Sequence, residues 1–455
     1  PANFIGFGFG QLSGQTINID KDNNGNTNIR ISGTDGEDFD GSTLTFNDSD
    51  GGGGNTVLVE AIEAISIFAG DGNEQITGTS FRDDIDAGAG DDVIIISDPD
   101  HHTTNEDIDG EAGDDTIRFT STTANDTLTL NAGVTIETIE ISNAAGDNTG
   151  NTALDVDASN MANTENVALI GNDGGNTLTG NAGDNTITGG GGSDALVGGD
   201  GNDTLNSGSG PDTILGGAGN DVMDGGSEND TIVGGNGDDI VIISAADHHG
   251  VGENIIGGDG TDTLRFTSTT AEETLLLLAG VTEIETIEIS DADGDNTGNT
   301  DLDVDASNMA ADQDVQLIGN DGSNTLTGND GDNTITGGGG MDRMEGGAGD
   351  DKYIFHDDPI GDEEIIEAVG GGTDTISTVG SGAAVDLSPL DFNGGDGGIL
   401  DQIERLEIDA GQEISVRARQ VTGLSLDIAE SADADGSELE VRLSLGGDTA
   451  DLSNF

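Results

Sequence analysis

Cysteine and tryptophan are absent from the 455 residues, proline occurs five times, and aromatic side chains make up only 3 %. Without cysteine there is no disulfide framework and no thiolate metal site. The scarcity of aromatic rings excludes the thick core of an ordinary globular enzyme of this length and leaves a thin core of Ile, Leu and Val. Cations are nearly as scarce: 11 Lys and Arg stand against 91 Asp and Glu, a formal charge of −80. So negative a surface excludes nucleic acid as a partner, and a compact state repels itself unless cations neutralise it. No run of about 18 apolar residues exists, so the sequence predicts no membrane-spanning helix. The chain opens Pro1-Ala-Asn-Phe-Ile, without the basic and apolar segments of an N-terminal secretory signal. His-Glu-x-x-His and Gly-x-Ser-x-Gly are also missing, and paired carboxylates argue nothing about glycoside hydrolysis in a chain this acidic. Nothing nominates a nucleophile.

What the chain has instead is glycine, 78 residues of it, in a fixed period. Eight nonapeptides run unbroken from Gly171 to Ile242, each close to glycine-glycine-x-glycine-x-aspartate-x-apolar-x; residues 198–206 (GGDGNDTLN) and 216–224 (GGAGNDVMD) are the cleanest. Glycine at positions one, two and four permits backbone conformations closed to residues with a Cβ, so successive carbonyls can be aimed at one point. Aspartate at position six adds charged oxygens there. Position eight holds Leu178, Ile187, Leu196, Leu205, Ile214, Met223, Ile232 and Val241, each starting a short strand whose side chain points inward. An oxygen-only set of carboxylates and carbonyls suits a hard cation taking six to eight ligands, such as Ca²⁺. High charge with low hydrophobicity could also signal disorder; the fixed period argues against it for the cation-loaded state, and the chain is expected to fold only with calcium.

On these nonapeptides the chain resembles the RTX (repeats-in-toxin) calcium-binding family. The resemblance implies an all-β fold, a right-handed parallel β-roll or β-helix solenoid in which two nonapeptides make one coil and Ca²⁺ sits between stacked turns. It implies several bound calcium ions, an extracellular or cell-surface location, and export by type I secretion machinery from a C-terminal signal that Asp451-Leu-Ser-Asn-Phe455 resembles. The candidate ligands are the position-six aspartates Asp92, Asp115, Asp194, Asp203, Asp212, Asp221, Asp230, Asp239, Asp262, Asp342 and Asp351, with Asp83 in a repeat lacking most of its glycines. The alternative, that they only form solvated turns, sits poorly with the unbroken period. Asparagine takes position six at Asn176, Asn185, Asn324 and Asn333, where calcium should bind weakly or an asparagine ladder should form. Glu228 stands where position-four glycine is expected, distorting that loop or donating another carboxylate.

The chain is internally duplicated. RFTSTTA at 118–124 returns at 265–271, and the copies carry matching threonine-rich segments and a second nonapeptide run from Gly319 to Ile354. The copies differ by one inserted residue, Glu283. Ile-Glu-x-(Ile/Leu)-x-Ile recurs at 62–67, 136–141, 284–289 and 403–408 with the period-two alternation of a half-buried strand. Because a rung buries its apolar face only against neighbouring rungs, we expect one solenoid. Its parts are an N-terminal β cap (1–68), a first roll with a long-rung insert (69–170), the eight-nonapeptide block (171–242), a duplicated long-rung segment (243–318), a four-nonapeptide block (319–355) and a C-terminal β cap (356–455). Phe4, Phe7 and Phe9 form the most exposed-looking aromatic cluster. Asp-His-His occurs at 100–102 and 247–249; the pairs His101-His102 and His248-His249 are either a zinc or copper site or solvated loops copied with their module.

Three functions remain. The first is a structural protein that folds on calcium and self-assembles into a surface layer or filament, resembling RTX-type surface-layer proteins. The second is an adhesin or matrix protein binding a glycan or cell-surface polysaccharide. The third, the repeat region of a secreted enzyme, is disfavoured because only about 68 residues precede the first repeat.

Overall fold

A computed structural model describes residues 72–77, 82–102, 107–162, 166–311, 313–356 and 372–379, with short strands elsewhere. The side chains of Asp83, His101, Phe4, Phe7 and Phe9, and the segment 451–455, lie outside the described residues. The chain divides into two compact units: Pro1–Gly226 with Asp230–Gly235, and Ser227–Asn229 with Asn236–Phe455. Each is a parallel β-roll, the all-β architecture expected from the repeats.

In the first unit the nonapeptide strands alternate between two sheets. Thr186–Gly191 pairs in parallel with Thr204–Ser209, Thr186 opposite Thr204, and Ala195–Asp200 pairs with Thr213–Ala218, Ala195 opposite Thr213. Partners 18 residues apart mean that two nonapeptides close one coil. The side-chain period of two then fixes what is inside. Every position-eight residue from Leu178 to Val241 is at most 1 % exposed. The long rungs join the same sheets: Thr116–Phe119, Thr138–Ile141 and Ala168–Ile170 pair in succession, as do Asp126–Thr129 and Leu154–Asp157. Ile139 and Ile141 are buried, so the Ile-Glu-x-Ile-x-Ile motif forms the half-buried strand its alternation predicts.

The second unit repeats this plan. Thr263–Phe266, Thr286–Ile289, Gln316–Ile318, Thr334–Thr336, Lys352–Phe355 and Thr375–Thr378 succeed one another in one sheet. Glu273–Leu276, Leu302–Asp305, Thr325–Thr327, Arg343–Glu345 and Glu364–Ile366 form another. Three cations among the described residues are placed as cross-rung ties. Arg118 pairs with Glu140 and Arg265 with Glu288, both at 2.5 Å, and Lys352 pairs with Glu407 at 2.7 Å. At the end of the second run Tyr353 takes position eight, fully buried, and its hydroxyl accepts the Gly346 N–H at 2.8 Å.

Glu228 answers the question left by its repeat. It holds the left-handed backbone that glycine holds in the neighbouring turns, φ +86° against +129° at Gly219 and +125° at Gly237, and its side chain is exposed. A residue with a Cβ pays roughly 1–2 kcal/mol for that conformation, partly offset by the extra freedom glycine has in the unfolded chain. Glu228→Gly should therefore stabilise the calcium-loaded protein by up to about 1 kcal/mol, read as a higher urea midpoint; a lower midpoint would show that the carboxylate itself is needed.

Candidate metal centre

The position-six acids form a ladder along each stack. The backbone N–H of one coil donates to Oδ1 of the aspartate in the next: Asn176 to Asp194 and Asn185 to Asp203 at 2.7 Å, Asp194 to Asp212 at 2.7 Å, and Asp203 to Asp221 and Asp212 to Asp230 at 2.8 Å. The same bond joins Glu74 to Asp92, Asp92 to Asp115, Asp239 to Asp262, Asn324 to Asp342 and Asn333 to Asp351. Each of these aspartates is buried. Eleven of the twelve aspartates singled out from sequence are thus brought to equivalent places; Asp83 is the one whose side chain is not described.

The second carboxylate oxygen defines the chemistry. Oδ2 of Asp92, Asp115, Asp194, Asp203, Asp262 and Asp351 is buried with no hydrogen-bond partner. At Asp115, Asp194, Asp203, Asp262 and Asp351 it lies in a niche beside a position-one glycine, Gly110, Gly189, Gly198, Gly257 and Gly346, which a Cβ would fill. A Cβ added at Gly198 would stand 2.2 Å from Asp203 Oδ2 and 2.6 Å from the Gly216 carbonyl oxygen of the next coil. At Gly189 the corresponding distances are 2.5 Å to Asp194 Oδ2 and 2.7 Å to the Ser207 carbonyl oxygen. Anionic and carbonyl oxygens therefore converge where there is no donor. A buried carboxylate without a counter-charge is costly, and a hard oxygen-seeking cation removes that cost. Among the described residues no three His, Cys, Asp or Glu side chains cluster as a metal site. The carboxylates come one per turn on each side of the roll, so backbone carbonyls would supply the remaining ligands. These residues fit Ca²⁺.

The ladder also contains acids that sequence reasoning missed. Asp115 N–H donates to Glu137 and Asp262 N–H to Glu285, the first glutamates of two Ile-Glu-x-Ile-x-Ile strands. Asp351 N–H donates to Asp374 at 3.0 Å, in a degenerate repeat that keeps Gly370, Gly371 and Gly372 ahead of it. Glu74 precedes Asp92 by 18 residues, the coil length, which was the available signal. Two expectations are corrected. The asparagines form no ladder with one another, because the 18-residue register sets each on an aspartate. The histidine loops are not simply solvated: His102 and His249 are buried, and burial pushes His249 down to about 4, keeping its ring neutral. His248 meets Ser244 Oγ at 3.1 Å.

A parallel β-roll whose glycine turns gather unneutralised oxygens is a calcium-binding roll. The family model of the RTX calcium-binding nonapeptide repeat (4 copies) matches residues 68–95, 103–118, 170–205, 206–241 and 318–353. The chain carries these calcium-binding repeats in multiple copies. No curated protein matches it.

Burial, the largest influence on these carboxyls, raises Asp92 and Asp194 to about 7 and Asp351 to about 6, and pushes Asp115, Asp203 and Asp262 upward. A folded-state pKa above the unfolded one gives the cation-free fold a stability that is full below pH about 4 and lost as pH rises through about 7. Protons and calcium thus compete for the same oxygens. Calcium binding at pH 6 should release protons and at pH 8.5 should release few, as read by calorimetry in buffers of different ionisation enthalpy. Equal release at both values would show that these carboxylates are not the ligands.

Proposed function

We propose that this chain is an extracellular structural protein that folds on calcium and self-assembles into a surface layer or filament. The observation that carries the reading is the ladder itself, a file of buried carboxylates in which the second oxygens of Asp92, Asp115, Asp194, Asp203, Asp262 and Asp351 meet no donor. A chain built this way has no stable complete fold where calcium is scarce and gains one where it is plentiful, because a ligand bound only by the folded state stabilises that state by mass action. That suits a polypeptide exported unfolded through type I secretion machinery and folded outside. Asp92, Asp115, Asp194, Asp203, Asp212, Asp221, Asp230, Asp239, Asp262, Asp342 and Asp351 are the side-chain ligands in this reading. RTX repeat rolls are typically structural, and the assembly would be formed by further copies of the chain.

A second reading, an adhesin or matrix protein, has one observation in its favour. A cleft of about 310 Å³ opens beside the second long-rung segment, lined among others by Thr267, Ser268, Ser290, Asp291, Asp295 and Asn320. Hydroxyls, carboxylates and an amide around a shallow cleft suit the hydroxyls of a cell-surface polysaccharide.

Asp203→Ala combined with Asp221→Ala should raise the calcium concentration at the circular-dichroism folding midpoint by about threefold or more; an unchanged midpoint would remove these two residues from the ligand set. Negative-stain microscopy then tests assembly. Ordered sheets or filaments that dissolve in chelator support the structural reading, and isolated particles at every calcium concentration would sink it and put polysaccharide binding first.

A further inference from the structure

Four turns depart from the calcium-binding pattern in two places at once. Residues 171–176, 180–185, 319–324 and 328–333 read glycine-asparagine-x-glycine-x-asparagine, with asparagine replacing both the position-two glycine and the position-six aspartate. They are the first two turns of each nonapeptide run and directly follow the long rungs.

The paired asparagines satisfy each other's loop. At position two, Asn172 Oδ1 accepts the Gly174 N–H at 2.7 Å while its Nδ2 donates to the Thr152 carbonyl at 3.0 Å. Asn181 does the same with Gly183 N–H and the Ala162 carbonyl, Asn320 with Gly322 and Thr300, and Asn329 with Gly331 and Ala310. None of the four has the left-handed backbone of the glycines at this position in the clean repeats. At position six, Asn176 Nδ2 donates to the Leu154 carbonyl at 2.7 Å and its Oδ1 accepts the Asn172 N–H at 2.8 Å. Asn324 repeats both bonds with Leu302 and Asn320.

Asn185 and Asn333 make the contrast with aspartate explicit. Asn185 Nδ2 lies 2.7 Å from the Gly183 carbonyl, 3.3 Å from the Asn181 carbonyl and 3.0 Å from Asp203 Oδ1. Asn333 Nδ2 lies 2.7 Å from Gly331, 3.2 Å from Asn329 and 3.0 Å from Asp351 Oδ1. An amide –NH₂ brings two hydrogens where Asp194 and Asp203 instead present an oxygen with no hydrogen-bond partner. One acceptor, Oδ1, is left over in each, a small cost beside that of a buried anion.

We propose that these four turns take no cation and give each nonapeptide run a calcium-independent start. The protein supplies hydrogen-bond donors where the other turns wait for a metal, and each pair of turns is bonded through Asn172, Asn181, Asn320 and Asn329 onto the carbonyls of the long rungs. Calcium-bound coils then grow from a platform already folded. This rests on the calcium reading above and narrows the expectation that the chain folds only with calcium: two segments are ordered before calcium arrives.

Hydrogen exchange on the full chain in chelator reads the difference. Residues 166–188 and 315–336 should stay protected at least about tenfold beyond residues 198–223, with protection of 198–223 restored by calcium. Uniformly fast exchange in chelator that calcium reverses would overturn the platform while leaving the calcium reading intact. Protection everywhere regardless of chelator would overturn the calcium reading and this inference with it. Asn181→Gly combined with Asn185→Asp converts one turn to the calcium pattern. Native mass spectrometry should count one more bound calcium than in the parent chain; an unchanged count would show that the parent turn already holds one.

Discussion

In the calcium-pattern turns of this fold everything depends on one shared carboxylate. Oδ1 of the position-six acid accepts a backbone N–H from the preceding coil, which sets the register between coils. That bond leaves Oδ2 directed into the glycine niche beside the next coil's carbonyl. Register and ligand geometry therefore come from the same residue, and the desolvation of the anion, several kcal/mol even after relaxation, is incurred by the act of stacking. A file of such residues cannot be stable alone, so the aspartate-bearing coils and their cations are one thermodynamic unit. Most of the glycines follow from this, since a Cβ at Gly189, Gly198 or Gly216 would displace the carboxylate or the carbonyl; at Ser207 the hydroxyl instead donates to the Gly225 carbonyl at 2.8 Å.

The periodic part of this arrangement was legible in the sequence because a nine-residue period maps directly onto stacked turns. The two sheets, the eight inward residues from Leu178 to Val241 and the buried aspartates all follow from it. What was not legible has a common cause. Glu137 and Glu285 join the ladder from exposed positions, reaching back with one more methylene than aspartate, and their motif reads only as a strand until the register places it beside Asp115 and Asp262. Asp374 sits in a turn too degenerate to match the repeat, yet it continues the ladder beyond Asp351. Burial of His102 and His249 was equally invisible, since a His-His pair between loops carries no periodicity. The asparagines at position two carry no signal of their own in the repeat, and only hydrogen bonds tie them to the asparagines at position six.

The ladder also explains how the roll accommodates turns of unequal length. Partners on neighbouring coils are 18 residues apart in the nonapeptide blocks, but Thr116 faces Thr138 and Thr138 faces Ala168. The added residues leave the strands through the corners, and register is re-established on the far side by the Asp115 N–H bond to Glu137 at the first step and by the Ala168 N–H bond to the Glu137 carbonyl at the second. A coil can therefore carry a long threonine-rich excursion without disturbing the stack, because the contacts that define the stack are confined to the turn and the three or four residues after it.

The single insertion that separates the two copies shows the same rule acting on one residue. In the first copy two residues join Val134–Thr135 to Thr138–Ile141; in the second, three join Val281–Thr282 to Thr286–Ile289. Glu283 takes up the difference in a left-handed conformation, φ +56°. Beyond the corner, Thr263 faces Thr286 as Thr116 faces Thr138, and Arg265 meets Glu288 as Arg118 meets Glu140. The Glu285 N–H and the Thr286 N–H both donate to the Asp262 carbonyl, where the Thr138 N–H alone serves Asp115. The corner absorbs strain of about 1–2 kcal/mol so that the ladder, the half-buried ion pair and the apolar face beneath them stay in step. A register slip of one residue would instead turn every inward Ile and Leu of the strand to solvent.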